Sequence, residues 1–321
     1  MKPDQPGEGP SLLYGEVRSG LLQHSVELEH GAAADLLALR HGEPVRTSER
    51  PNLRAVSPDL LTGVDCALPT GSHRSVRGVG TAVSRAVLTE GRVLQASVRA
   101  RITAATGEGR LAWSHYLAHP GTVELTGRAG ADDLAEGFLT APPGPALDLG
   151  ALADRLLTDI QGRRALDRRA PFRSRRTFLR WTAVRTDLTA DGPGGRFTIE
   201  DEDHRTLRLV LDRIDPAAVT AFCEDLALHD WLLTTLGRLI ERSGLGSRPG
   251  ADAVLRLTPA VNHLLHLWMP GARVEHALAP LWAGLEARPG FTRQWSAAVQ
   301  RIRDHLALQA VGLNPRRHHG D

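Results

Sequence analysis

Apolar and polar positions along the chain change rhythm several times, and each change marks an element. Residues 12–24 are strand-like, with a turn expected at Ser19-Gly20. Ala33, Leu36, Leu37 and Arg40 recur at helical spacing and predict a short helix over 32–40. Residues 46–69 are too rich in turn formers to assign. The clearest β pattern covers 76–89 and 92–106, separated by Glu90-Gly91, a loop length that suits a hairpin. In the second arm Leu94, Ala96, Val98, Ala100 and Ile102 alternate with Gln95, Ser97, Arg99 and Arg101. That period of two predicts one face in a core and the other in water. Residues 113–117 and 122–126 read as further strands of the same antiparallel sheet, turning at His119-Pro120-Gly121. Residues 131–139 predict a short helix.

Ala141-Pro142-Pro143-Gly144-Pro145 excludes helix and central strand, so 141–147 is expected to be a loop or linker. Asp148 should cap a helix over 149–160. Residues 178–185, 196–200 and 206–211 read as a three-stranded meander, with turns at 191–195 and at Glu202-Asp203. Leu207, Leu209 and Leu211 form its buried face. Asp215-Pro216 then starts a long helix, with Asp as cap and Pro in the first turn. Its stripe runs through Val219, Phe222, Leu226, Leu233, Leu236 and Ile240, is interrupted at His229, and stops near Arg242 before Gly244 and Gly246. A second helical segment runs from Ala251 to Pro270-Gly271, with Pro259 a kink or a restart capped by Thr258. A third, broken by Pro280, covers 275–287. A fourth covers 292–310 on a stripe of Trp295, Val299, Ile302 and Leu306.

The expected fold is therefore α+β. An antiparallel β-rich N-terminal region with short helices (11–213) precedes a C-terminal helical bundle (214–312). Residues 1–10 and 313–321 are polar and expected to be disordered.

Composition narrows the function classes. The 321 residues carry 39 Lys+Arg and 37 Asp+Glu, for a net charge of +2. Lys2 is the lone lysine, so Schiff-base and P-loop lysine roles have no residue in the folded body. Arginine has GC-rich codons and lysine AT-rich ones, which accounts for most of this bias. Cys66 and Cys223 cannot make a disulfide scaffold or a four-thiolate zinc site. No apolar run reaches the roughly 18 residues of a membrane span, and the polar start lacks a signal peptide's apolar region. A cytoplasmic protein with reduced thiols is expected.

Motifs are informative mainly by exclusion. P-loop, dinucleotide fingerprint, nucleophile elbow, H-E-x-x-H and C-x-x-C patterns are all missing, so no cofactor is expected. Gly78-Val79-Gly80 lies inside a predicted strand, where close backbone approach explains it. Ser114-His115 cannot act as a dyad, since adjacent strand residues face opposite ways. No complete catalytic constellation is found.

Four clusters remain as candidates. His229 with Asp230, and His263 with His266 at a spacing of three, offer metal ligands, with Asp230 or Glu224 as the carboxylate. Such a site would make a metal-dependent hydrolase; the bland alternative is a core histidine and two helix-surface ones. Glu200-Asp201-Glu202-Asp203-His204 offers hard oxygen ligands or a solvated hairpin tip. Residues 163–180 hold Arg163, Arg164, Arg168, Arg169, Arg173, Arg175, Arg176 and Arg180 against Asp167 alone, a local charge of +7 flanked by Phe172, Phe178 and Trp181. Guanidinium with aromatic is the composition that binds phosphates and stacked bases. The alternative is internal pairing with an acidic surface such as 200–203. The loops holding Arg273 and Arg288, beside Trp268 and Phe291, have the make-up of a protein-interface hot spot.

Five stretches carry a wider resemblance: Leu21-Leu22-Gln23-His24-Ser25, Val76-Arg77-Gly78-Val79-Gly80-Thr81, Leu228-His229-Asp230-Trp231-Leu232-Leu233, His263-Leu264-Leu265-His266-Leu267-Trp268-Met269-Pro270-Gly271 and Arg288-Pro289-Gly290-Phe291-Thr292-Arg293-Gln294-Trp295. With them the chain resembles an actinobacterial protein family of unassigned activity, over about 12–308. The resemblance implies genes for a P-loop-like and a methyltransferase-like protein alongside, hence a component of a multi-protein system. The leading expectation is a non-enzymatic protein-interaction component whose partners include products of neighbouring genes. A nucleic-acid or nucleotide binder using 163–180 is the second reading, and the metal-dependent hydrolase the third.

Overall fold

The computed structural model of the chain describes residues 12–74, 76–105, 107, 109–142, 146–186, 193–244 and 250–312. The two expected disordered ends, part of the proline-rich loop and part of the 191–195 turn lie outside these. The fold is α+β, built on one ten-stranded mixed sheet. Its strands are β1 (Leu12–Leu21), β2 (Arg46–Ser48), β3 (Arg54–Val56), β4 (Leu60–Leu68), β5 (Val76–Thr89), β6 (Val93–Ala104), β7 (Thr122–Thr126), β8 (Thr177–Arg185), β9 (Gly194–Ile199) and β10 (His204–Leu211). The order is β2-β3-β5-β7-β6-β1-β8-β10-β9, with β4 beside β5.

The β5–β6 hairpin is the centre of construction. Glu90 and Gly91 both take positive φ (47° and 54°), the twist a tight hairpin turn needs. The arms stay paired from Thr89↔Val93 to Val83↔Arg99 and then part. β7 fills the gap, antiparallel to β5 and parallel to β6. Gly80 sits where β5 meets β7, and a Cβ there would lie 2.1 Å from the Thr122 carbonyl oxygen. Close backbone approach is thus the role of this glycine pair.

Helices cover both faces. On one, α1 (His30–Leu37), α3 (Ala131–Thr140) and α4 (Leu149–Gln161) pack on Leu12, Tyr14, Leu94, Val98 and Ile102. Tyr14 stacks on Phe138 at 4.2 Å and donates to the Leu134 carbonyl at 2.7 Å. The Asp148 carboxylate caps α4 by accepting from the Ala151 amide. On the other face lies α5 (Pro216–Ser243), capped by Asp215 at one end and by left-handed Gly244 at the other. Its Val219, Phe222, Cys223 and Leu226 bury Leu13, Val17, Leu179, Trp181, Leu207 and Leu209. α6 (Gly250–His263), α7 (Ala279–Ala287) and α8 (Phe291–Gly312) complete the helical third. The helices therefore share a core with the sheet, and residues on either side of 213/214 bury one another.

Several expectations need correction. β1 runs unbroken through Ser19-Gly20, because β6 and β8 pair with it on both sides. Residues 113–117 form α2 (Trp113–Leu117), a single helical turn, and not a strand. β8, β9 and β10 are not a meander: β8 pairs with β10 in parallel, and β9 pairs with β10 alone at the edge. Pro259 is accommodated within α6 without a restart. The polar face of β6 is not wet. Gln95 and Ser97 are buried beneath α5, which alternation along one strand could not show.

Gly80→Ala is expected to lower stability by about 1–3 kcal/mol or more, from overpacking against the β7 backbone and a strained φ. Gly31→Ala, with nothing within 4 Å of its Cβ position in α1, should gain about 0.5–1 kcal/mol. Urea midpoints at constant m-value compare the two.

Candidate functional site

α5 is apolar toward β1 and β8 and polar toward β5 and β6. The Glu224 side chain is fully buried, with Oε1 2.7 Å from Arg85 Nε and Oε2 2.9 Å from Arg85 Nη2, a bidentate pair. Arg54 Nη2 donates to the same Oε2 at 2.6 Å. Gln95 bridges the Ser19 hydroxyl and the Glu224 carbonyl. Burial by itself pushes the Glu224 carboxyl up; Arg85 and Arg54 outweigh it and hold it below its ordinary value. A second buried carboxylate, Glu16, lies on the opposite face of the sheet between Arg18 and Arg180. Both clusters lock elements together.

One turn on, His229 is buried. Its Nδ1 donates to the Asp225 carbonyl at 2.7 Å, and its Nε2 accepts from the Met269 amide at 3.2 Å. Asp225 Oδ2 accepts from the Gly271 amide at 3.0 Å. Together they dock the loop after α6 onto α5. Burial outweighs His229 and raises the Asp225 carboxyl. Asp230 pairs instead with Arg205, at 3.0 Å. With both ring nitrogens engaged, His229 has no lone pair for a metal. α6 ends at His263, whose ring stacks on Phe172, and His266 sits in a following 3₁₀ turn, so these two do not share a helix face. Among the described residues no group of three or more His, Cys, Asp or Glu side chains is placed to hold a metal ion.

The Arg-rich segment does not form one surface. Arg163 donates to the Leu36 carbonyl. Arg176 pairs with Asp154, and Arg180 donates to Glu16 and to the Phe138 and Ala141 carbonyls. Arg175 pairs with Glu202 and Asp203, the internal pairing weighed above for the acidic run. Trp181 is fully buried beside Gly15 and is not an interaction residue. Arg273 is spent on Ser48 and Asn52. Trp268 stacks on Trp295 at 4.2 Å in the helical core, so its loop is not an aromatic surface. Arg288 is exposed. Arg164, Arg168, Arg169 and Arg173 are exposed as well, and none forms an ion pair with a described residue.

What the structure assembles is a groove of about 610 Å³ among α5, α8 and the β9–β10 turn. Arg175 enters it from the Arg-rich segment, Arg205 from β10, and Arg238 and Arg242 from α5. Glu202, Asp230 and Glu241 interleave with them, and Leu233, Ile199 and Phe291 supply apolar wall. Arg205 is saturated by Asp230, Thr234 and backbone carbonyls. Arg238 reaches Asp203 at 2.8 Å. Arg242 makes one bond, to the Arg173 carbonyl at 3.3 Å. Sequence reasoning missed Arg205, Arg238 and Arg242 because they are scattered among apolar positions and converge only on folding.

Comparison of the chain with protein-family models, curated proteins and solved structures finds no match. Among the described residues no helix is long and apolar enough to cross a membrane.

Glu224→Gln is expected to cost about 3–5 kcal/mol, because it strands Arg85 and Arg54 in the interior. A depressed carboxyl stabilises the fold above its unfolded value and loses that contribution as pH falls through the folded one. Stability of the wild type should therefore drop on acidification below the ordinary Glu range, and the variant should lack this component in paired urea titrations.

Proposed function

We propose that the chain is a cytosolic, non-enzymatic interaction component of a multi-protein system, and that it docks an acidic, partly apolar segment of a partner protein in the groove between α5 and α8. The observation that carries this reading is the convergence of Arg175, Arg238 and Arg242 beside exposed Ile199, in a trough large enough for a short peptide. Arginine with apolar neighbours is the composition of interface hot spots. Guanidinium forks take carboxylates bidentately, which favours Asp or Glu on the partner. Glu202 and Glu241 then set the places where the partner must not be acidic, a repulsive contribution to specificity. Engaged histidines and the missing catalytic motifs support a binding role over chemistry. The resemblance to a family encoded beside other components agrees with it, and their products are the first partners to try.

Gly237 separates fold from binding. It lines the groove on α5 and has nothing within 4 Å of its Cβ position. Gly237→Leu should leave the melting temperature unchanged or raised, since glycine is a poor helix former. It should abolish binding of a short fluorescein-labelled peptide of alternating glutamate and leucine, read by anisotropy. Arg242→Ala should weaken that binding about tenfold, on the order of 1.4 kcal/mol. Equal binding of the lysine–leucine counterpart, or no effect of Gly237→Leu, would sink the proposal.

A further inference from the structure

The turn-rich segment between α4 and β8 presents Arg164, Arg168, Arg169 and Arg173 outward. It is pinned by its one acid. The Asp167 carboxylate accepts from the Ser25 hydroxyl, the Ser25 amide and the Arg169 amide, and the Asp167 amide donates to His24 Nδ1 at 3.1 Å. The Ser25 hydroxyl, first, and these amides hold the Asp167 carboxyl down to about 2, so it stays a saturated anion and does not reach for the arginines. Arg168 adds one contact, from Nη2 to the Gly162 carbonyl at 3.4 Å. Elsewhere the buried arginines are matched to carboxylates: Arg85 and Arg54 to Glu224, Arg205 to Asp230, Arg180 to Glu16. This segment is where the match is left open.

We infer that these four arginines form a nucleic-acid binding strip, which engages successive backbone phosphates without reading bases. Nine residues separate Arg164 from Arg173, a span of at most ~32 Å, so the guanidiniums fall within reach of a short run of phosphates. Guanidinium forks match phosphate oxygens bidentately. The alternatives fit less well. No large apolar side chain between 162 and 176 is exposed, and the segment's aromatic, Phe172, is turned onto His263 at 6.2 Å. A membrane-inserting loop needs an exposed apolar residue, and a protein hot spot needs an aromatic anchor. A strip of charge alone recognises a repeating charge. The inference does not rest on the groove, because Arg175, Arg205, Arg238 and Arg242 take no part in it.

The test is anisotropy of a short fluorescein-labelled DNA duplex against KCl. Four phosphate contacts give a slope of log K on log salt of about −3 to −4, a roughly 50–150-fold loss of affinity between 50 and 200 mM. The triple variant Arg164→Gln, Arg169→Gln, Arg173→Gln should reduce the slope to about −1 and the loss to roughly threefold. A control removes three exposed arginines elsewhere: Arg101→Gln, Arg301→Gln, Arg303→Gln. It has the same net charge and should bind like the wild type. Circular dichroism melts check that all three proteins are folded. Absent binding at 50 mM, or equal weakening in the control, would overturn the strip. Equally tight, equally arginine-dependent binding to phosphatidylserine vesicles or polyglutamate would overturn its assignment to nucleic acid. Loss of acidic-peptide binding in the Gly237→Leu protein with DNA binding intact would fault neither proposal and would show two separate sites.

Discussion

Glu224 lies fully buried between α5 and the sheet, 2.7 Å from Arg85 and 2.6 Å from Arg54. The central hairpin is apolar on one face and carries Arg85, Gln95, Ser97 and Arg99 on the other. Such a face is stable either in water or under a helix that brings the opposite charge and the right acceptors. α5 does the second. Its Glu224 carboxylate takes three guanidinium hydrogen bonds and its Glu224 carbonyl takes Gln95. Without that anion, the desolvation of Arg85 would oppose docking by several kcal/mol. With it, the polar half of the hairpin fixes where α5 sits along the sheet. Sliding α5 by one turn would bring Leu228 over the arginines in place of Glu224.

That position propagates. With α5 held at Glu224, Trp181 packs under Phe222 and Leu226, and His229 and Asp225 meet the loop at Met269 and Gly271. Further along the same helix, Asp230 pins Arg205, and Arg238 meets the acidic turn of the β9–β10 hairpin. The candidate groove is the far end of this chain of placements. The second buried anion, Glu16, does comparable work on the opposite face, where Arg18 and Arg180 tie β1 and β8 to α3 and α4. The arginine excess of this chain is largely absorbed into such ties, and what remains is concentrated between Arg164 and Arg173.

The α+β class, the β5–β6 hairpin and the Asp215-capped helix were legible because each is set by local signals: period-two alternation, a two-residue turn, an N-cap followed by proline. Trp113–Leu117 was misread as a strand because five residues are too few for either period to declare itself. The β8–β10–β9 order was misread because sequential strands commonly pair in order, whereas here β10 lies between the other two, parallel to β8. The buried state of Gln95 and Ser97 was illegible for a different reason. Alternation reports that a face is polar, not what covers it, and the covering helix begins more than a hundred residues later. The same applies to His229 and Trp181: spacing marked them as chemistry-bearing, and packing made one a loop anchor and the other core.

Taken alone, the sequence determined which segments are helix or strand, where α5 starts and stops, and that a local charge of +7 has no acidic counterpart within the segment itself. These follow from propensity, capping and composition, which act over a few residues. Tertiary structure decided which arginines are spent and which are left. Arg175, Arg176 and Arg180 found carboxylates 27, 22 and 164 residues away, while Arg164, Arg169 and Arg173 found no ion pair among the described residues. Ion pairing depends on distance in space and on burial, and neither is written in the spacing of residues along a chain.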